Sequence, residues 1–366
     1  MCHRLPGSHV PYTDAYFLRS KTILEREGLS PRVVMQIFIR KGPGHVYGID
    51  EAVAMIEAFS AQRGANLTVH ALPEGASYAP KETLLRIEGP LQDFIELETL
   101  YLGAITSATS VHNGGPEPDL AAITRQAAAI RELLPGKSLM YFGSRHWHWS
   151  MDAAISKAAI DGGFDACATD AGAEAAGLAG GVGTIPHALV LAIAHAHGRE
   201  VGTMEAAKAF DRHMDAAIPR VALVDTFNRE VDDAIATADA LGERLWGVRF
   251  DTPGENLGQG GVPFDGRDYW TGKGVTVEFI RHMRRTLDEA GHERVNIVLS
   301  SGFGNLDKVR AFTEGESRYG RLFESIGIGS LFPAHFATAD IVQVEGLPFA
   351  KAGRAERPNP RLRRVL

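Results

Sequence analysis

Three short segments carry most of the side chains able to do chemistry. Tyr141-Phe-Gly-Ser-Arg-His146, Gly183-Thr-Ile-Pro-His187 and Val248-Arg-Phe-Asp-Thr-Pro253 supply an aromatic ring, two guanidiniums, an imidazole and a carboxylate at the ends of apolar runs. Phe142 offers a ring face, and Arg145 a forked donor for phosphate or carboxylate; a core Phe and a surface Arg is the plainer reading of the same residues. His187 enters a helix behind the glycine-rich stretch Gly177 to Gly183. Backbone amides at a helix start attract anions, so this histidine can contact a phosphate, accept a phosphoryl group or simply cap the helix. Asp225, closing Val221-Ala-Leu-Val-Asp225, and Asp251 each end an apolar run. Carboxylates there are costly to desolvate unless paired, coordinated or wet, which suits a magnesium-pyrophosphate neighbourhood; an Asp capping the next helix is the alternative. The loops Ser300-Ser-Gly-Phe-Gly304 and Gly327-Ile-Gly-Ser330 place small residues after strands, where backbone can approach a phosphate closely. A different chemistry is conceivable from His146-Trp-His148, which with His187, His195, His197 and Asp251 resembles the start of the metal site in metal-dependent amidohydrolase barrels.

These residues need a scaffold that brings strand ends together. From Pro135 onward, apolar strand candidates at 138–142, 166–168, 221–225, 246–250, 295–299 and 325–328 alternate with helical stretches at 150–161, 230–241 and 276–290. Such alternation predicts parallel strands with crossover helices. Upstream, helical spacing over 11–30 ends at Gly28, and strands at 33–39, 67–71 and 84–87 with a helix at 48–63 make a small α+β unit. Helices follow at 91–107 and 119–134, and the tail 340–351 reads as a hairpin returning to the first sheet. The expected organisation is an N-terminal α+β sandwich over 1–110, an irregular α/β barrel over 111–335 and a hairpin and tail over 336–366 that completes the first domain.

At 366 residues, 45% of them hydrophobic, the chain can bury the core that two such domains need. The net charge of −7, with no basic stripe beyond the Arg354–Arg364 tail, argues against nucleic acid as a partner. Cys2 and Cys167 cannot form a disulfide framework, and no CxxC pair is present to hold zinc, so a reducing cytoplasm is expected. The N-terminus lacks the apolar stretch of a signal peptide, and no run approaches the roughly 20 apolar residues of a membrane span.

Taken in order, Thr13-Asp-Ala-Tyr-Phe-Leu-Arg19, Val34-Met-Gln-Ile-Phe38, Phe142-Gly-Ser-Arg145, Gly163-Phe-Asp165, Gly183-Thr-Ile-Pro-His-Ala188, Ala222-Leu-Val-Asp-Thr-Phe227, Val248-Arg-Phe-Asp-Thr-Pro253, Ser301-Gly302 and Gly327-Ile-Gly329 resemble the nicotinate phosphoribosyltransferase family, in particular its shorter archaeal-type members. The resemblance implies an open-faced sandwich and an irregular α/β barrel, in a homodimer whose active sites borrow residues across the interface. It also implies transfer of phosphoribose from phosphoribosyl pyrophosphate to nicotinate in NAD salvage, with Mg²⁺ and with ATP as a coupled substrate. Phe142 would stack on the pyridine ring with Tyr16 of the partner copy opposite. Arg145 and Arg249 would contact sugar, phosphate or ring substituent, with Arg19 and Thr184 also among the substrate-binding residues. Asp225 and Asp251 would face the ribose and the magnesium-pyrophosphate region, and His187 would be phosphorylated from ATP. Ser301, Gly302, Gly304, Gly327, Gly329 and Ser330 would receive the 5′-phosphate.

Ala168 stands where nicotinate enzymes often have Ser and nicotinamide enzymes Asp, so its N–H would face a ring carboxylate; a shift of one register would bring in Asp170. Quinolinate or nicotinamide transfer are the neighbouring activities. The chain departs from many relatives at Arg145-His-Trp-His-Trp149 and lacks the C-terminal zinc knuckle of some archaeal ones.

Overall fold

The computed structural model describes residues 5–366; Met1 to Arg4, Cys2 among them, lie outside the described residues. Two six-stranded sheets form the frame. The first is antiparallel and runs Leu347–Pro348, Ala337–Val344, Arg32–Ile39, Thr83–Pro90, Thr68–Ala71, Arg363–Arg364. Its central strand, Arg32–Ile39, is buried at every position after Arg32, so both faces are covered and the run Val33 to Ile39 stays apolar except at Gln36. C-terminal strands form both edges of the sheet: Leu347–Pro348, reached from Ala337–Val344 through a tight turn in which Glu345 and Gly346 both take positive φ, 50° and 75°, and Arg363–Arg364.

The second sheet is entirely parallel, in the order Ala166–Cys167, Ser138–Tyr141, Ser325–Ile328, Asn296–Leu299, Leu245–Phe250, Arg220–Leu223. All six strands match the apolar runs of the sequence. A barrel closed by strand pairing is not what forms, however: the sheet curls and ends in two edges, at Ala166–Cys167 and Arg220–Leu223. The glycine-rich segment spans the gap. Val182 N donates to Cys167 O at 2.8 Å, and Thr184 Oγ1 to Val221 O at 2.8 Å. Glycines at 177, 180, 181 and 183 disfavour a regular strand there, because they add backbone entropy without side-chain packing.

Helix Glu98–His112 is buried over most of its length and packs against Ile49–Arg63, the strand Ala337–Val344 and the short turn Ser144–His146, so it joins the two sheets. The helix expected over 91–107 begins later. Leu91 N is tied to Pro31 O at 3.0 Å and Phe94 lies at φ −146°, so two 3₁₀ turns precede the α-helix. Helices Gly202–His213 and Leu306–Tyr319 had no counterpart in the sequence reading; the second is capped by Asn305, whose side chain accepts from the backbone of Asp307 and Lys308 at 2.8 and 3.3 Å. Among the described residues no helix is long and apolar enough to cross a membrane.

Candidate active site

The parallel strands end on a common side, and their C-terminal residues meet the first sheet across a cavity of about 650 Å³. Tyr16 comes from helix Ala15–Arg26, Arg145 from the turn after Ser138–Tyr141, Arg249 from Leu245–Phe250, and Asp251 and Ser301 from just beyond strand ends. His187 opens the helix His187–His197, while Met35 and Asp340 come from the first sheet. Parallel strands direct their C-terminal loops to one face, which is why residues more than a hundred positions apart in sequence converge.

At one end of this cavity His187, Asp225 and Asp251 bring three ligand atoms within 4.8 Å of one another, a spacing that suits a single divalent cation. The ammonium of Lys351 is among them, with Nζ 2.6 Å from Asp225 Oδ2, 2.7 Å from His187 Nε2 and 3.2 Å from Asp251 O. Asp225 is fully buried and Lys351 answers its charge. His187 Nδ1 lies 3.0 Å from Thr226 Oγ1. Burial, and then the neighbouring Lys351 charge, lower the imidazole pKa against the pull of the two aspartates. Burial also pushes the Asp251 carboxyl upward, but His187 and Lys351 outweigh it and hold it below the ordinary carboxylate range.

At the other end Arg145 Nη1 meets Asp14 Oδ2 at 3.3 Å and the Tyr16 hydroxyl. Thr99 Oγ1 donates to the same Asp14 oxygen at 3.0 Å. Burial works against the Arg145 charge, yet Tyr16, Asp14 and Glu98 keep its pKa above the usual value. Tyr16 was expected from a partner copy; it contacts Arg145 of its own chain, because helix Ala15–Arg26 is tied to the barrel by Ala15 N donating to Ala168 O at 2.8 Å.

Several expected site residues do other things. Ala168 is fully buried; its carbonyl accepts from Ala15 and its backbone lies under Gly181, so it is not placed to read a ring substituent. Asp170 turns to the glycine loop, accepting from Gly181 N at 2.9 Å. Arg19 is spent on the carbonyls of Gly183 and Gly181. Phe142, Thr184 and Arg19 line a separate, mainly apolar cavity of about 350 Å³ that shares Arg249 with the first, so Phe142 and Tyr16 do not face each other across one space.

The phosphate cradle splits likewise. Ser301 and Gly302 border a cavity of about 770 Å³, but a Cβ on Gly304 would stand 1.8 Å from Ser330 O, on Gly327 2.4 Å from the Phe142 ring, and on Gly329 2.6 Å from the His146 ring. These three glycines accommodate protein atoms.

The histidine-based metal reading dissolves. His146 Nδ1 faces Gly329 O at 3.0 Å, and burial pushes its pKa down to about 4; His148 pairs with Glu51 at 3.1 Å and Ser150 at 2.7 Å. His195 packs edge-on against Phe349, and His197 is exposed.

Among the cavity residues that escaped the sequence reading are Lys351, Glu98 and Lys308. Lys308 sits one turn into helix Leu306–Tyr319, 7% exposed, and donates to Ser301 O at 2.7 Å; burial pushes its pKa down to about 7. With Gly302 it lines a second cavity beside the main one, while the amides of Asp307 and Lys308 are taken by the Asn305 cap. The apolar period of that helix, had it been read, would have flagged a lysine at a buried position.

Residues 14–109 match the family of quinolinate phosphoribosyl transferase N-terminal domains. The chain is 26% identical over 323 residues to nicotinate phosphoribosyltransferase pncB2 of Mycobacterium tuberculosis, covering 80% of this chain and 60% of that one. It spans 40 to 60% of the length of the curated relatives it matches. The nicotinate-nucleotide pyrophosphorylase of Pyrococcus furiosus is 30% identical, over 94% of this chain and 78% of its own, with a TM-score of 0.47. The Vibrio cholerae nicotinate phosphoribosyltransferase is 16% identical over 93% and 87% of the two chains; its TM-score of 0.66 reflects a shared fold. By the curated matches and the shared fold, the chain is similar to nicotinate phosphoribosyltransferases.

Proposed function

We propose that the chain transfers the phosphoribosyl group of phosphoribosyl pyrophosphate to nicotinate, giving nicotinate mononucleotide and pyrophosphate in NAD salvage. The observation that carries this reading is the convergence of Tyr16, Arg145, Arg249, Asp251, His187 and Ser301 on one cavity of about 650 Å³, continuous in lining with the Gly302–Lys308 corner through Ser301. The ring nitrogen attacks the anomeric carbon as pyrophosphate departs, so catalysis is positioning and charge stabilisation. Tyr16 offers a ring face, Arg249 and Arg145 answer negative charge, and Lys308 beside Gly302 holds the 5′-phosphate. Asp251, kept ionised, faces the sugar as positive charge develops there.

Mg²⁺ supplies charge neutralisation to pyrophosphate when bound, and Asp251, which lines the cavity, is the acid that would face it, since Lys351 already answers Asp225 and His187. ATP coupling belongs to the same reading: His187 with Lys351 against Nε2 is suited to accept a phosphoryl group and pair its charge. A homodimer in the cytoplasm belongs to it as well, although Tyr16 gives no reason for sharing sites.

Quinolinate transfer would need free cations for a second carboxylate. The further arginines of the cavity are already committed, Arg40 to Glu255 and Arg354 to Glu255 at 3.7 Å and Asp340 at 3.1 Å, which favours nicotinate. Incubation with phosphoribosyl pyrophosphate, Mg²⁺ and each of nicotinate, nicotinamide and quinolinate should yield nicotinate mononucleotide by mass from the first alone. Product from quinolinate, with loss of CO₂, would reassign the substrate. His187→Ala should lose acid-labile labelling from γ-labelled ATP and lose ATP stimulation while keeping basal transfer; wild-type labelling in that variant would move the acceptor elsewhere.

A further inference from the structure

Of the acids that line the main cavity, Glu98 is the one left over. It opens helix Glu98–His112, is 8% exposed, and its side chain has no hydrogen-bond or ion-pair partner among the described residues. The nearest cation that acts on it is Arg145. That guanidinium is already engaged by Asp14 at 3.3 Å and by the Tyr16 hydroxyl, and Thr99 completes the Asp14 carboxylate at 3.0 Å. Two buried acids therefore share one guanidinium, and Asp14 has it. The small exposure of Glu98 is to the cavity it lines, so the carboxyl is placed to meet a ligand there.

Glu98 lines the cavity beside Tyr16 and Arg145, the residues that face the ring in the nicotinate reading, on which this inference rests. We propose that Glu98 determines base specificity: its carboxyl donates a hydrogen bond to one oxygen of the nicotinate carboxylate. Burial, opposed by Arg145, pushes the Glu98 pKa up to about 8, so the group carries its proton at neutral pH and meets an anion as a donor.

Three proteins test this: wild type, Glu98→Gln and Glu98→Met. Glu98→Gln keeps an N–H donor and should hold the KM for nicotinate within about threefold, whereas Glu98→Met should raise it at least about tenfold, with the KM for phosphoribosyl pyrophosphate little changed. Because it removes an unpartnered buried carboxyl, Glu98→Met should also melt no lower than wild type. An unchanged nicotinate KM in Glu98→Met overturns the proposal. So does a KM rise confined to phosphoribosyl pyrophosphate, or a fall in melting temperature that Glu98→Gln restores, which marks a structural carboxyl. A wild type that converts no nicotinate overturns the functional reading together with this one; a wild type that converts it, with Glu98→Met equally able, overturns only the role of Glu98.

Discussion

The loops that follow the strands Asn296–Leu299 and Ser325–Ile328 look alike in sequence and do opposite things. In Ser301-Gly302 both residues take positive φ, 72° and 84°, and the nearest atom to a Cβ on Gly302 is the Lys308 ammonium at 3.7 Å. The loop is open. In Gly327-Ile-Gly329 the space a side chain would need is filled by the rings of Phe142 and His146, and Gly304 presses on Ser330 O. Glycine thus records a left-handed backbone at 302 and a close approach of protein atoms at 327 and 329. The open loop is also the one with a desolvated cation behind it.

The sharpest way to break this contrast is Gly304→Ala. A methyl 1.8 Å from a backbone oxygen cannot be accommodated by a side-chain shift, so a loss of about 3 kcal/mol or more is expected, read as a reduced midpoint in urea. A variant as stable as wild type would mean the two loops are not in contact. Lys308→Met should do the reverse: no loss of stability, since a buried ammonium is removed, but a rise of about 10- to 100-fold in the KM for phosphoribosyl pyrophosphate from one lost charged contact. Unaltered KM would take the 5′-phosphate out of this corner.

Gly302→Ala comes next. Space is available, so only the left-handed backbone is penalised, by about 1–2 kcal/mol of stability, and any further loss of substrate affinity measures how closely phosphate approaches.

The smallest effect is that of pH. The Lys308 pKa is lowered by burial to about 7 in the folded chain, so the unfolded chain binds more protons from there up to the ordinary lysine range; the Lys308 contribution therefore makes stability rise with pH across that window. Anion binding requires the protonated form. Affinity for phosphoribosyl pyrophosphate should accordingly fall by roughly threefold to tenfold from pH 7 to pH 8, and Lys308→Arg, always charged, should flatten that slope.

Asp225, Arg249 and Asp251 were legible because each is a polar residue at the end of an apolar run, and in a parallel sheet such residues share one face whatever the details of packing. Arg145 was legible by the same logic. His187 was legible as a helix-opening residue behind a glycine-rich segment. The residues that escaped notice enter from elsewhere: Glu98 from the first turn of a helix that joins the sheets, Lys308 from a helix hidden behind a glycine loop, and Lys351 from the tail. Nothing local distinguishes them from other charged residues of exposed helices or loops. Ala168 and Asp170 failed in the opposite way, since a motif position placed them near the ring while the backbone of Gly181 came to lie against Ala168.

Local sequence, then, determined the six parallel strands, the antiparallel sheet with its returning tail and the strand-end groups, since hydrophobic period and turn residues act over a few positions. Tertiary structure alone decided that the parallel sheet stays open and is bridged by a glycine-rich segment, which glycines meet protein atoms, and which cations face which carboxylates. Those outcomes depend on how much charge and volume distant segments bring to one place, as when Lys351 answers Asp225 at 2.6 Å and Asp14 takes Arg145, leaving Glu98 without a counter-ion.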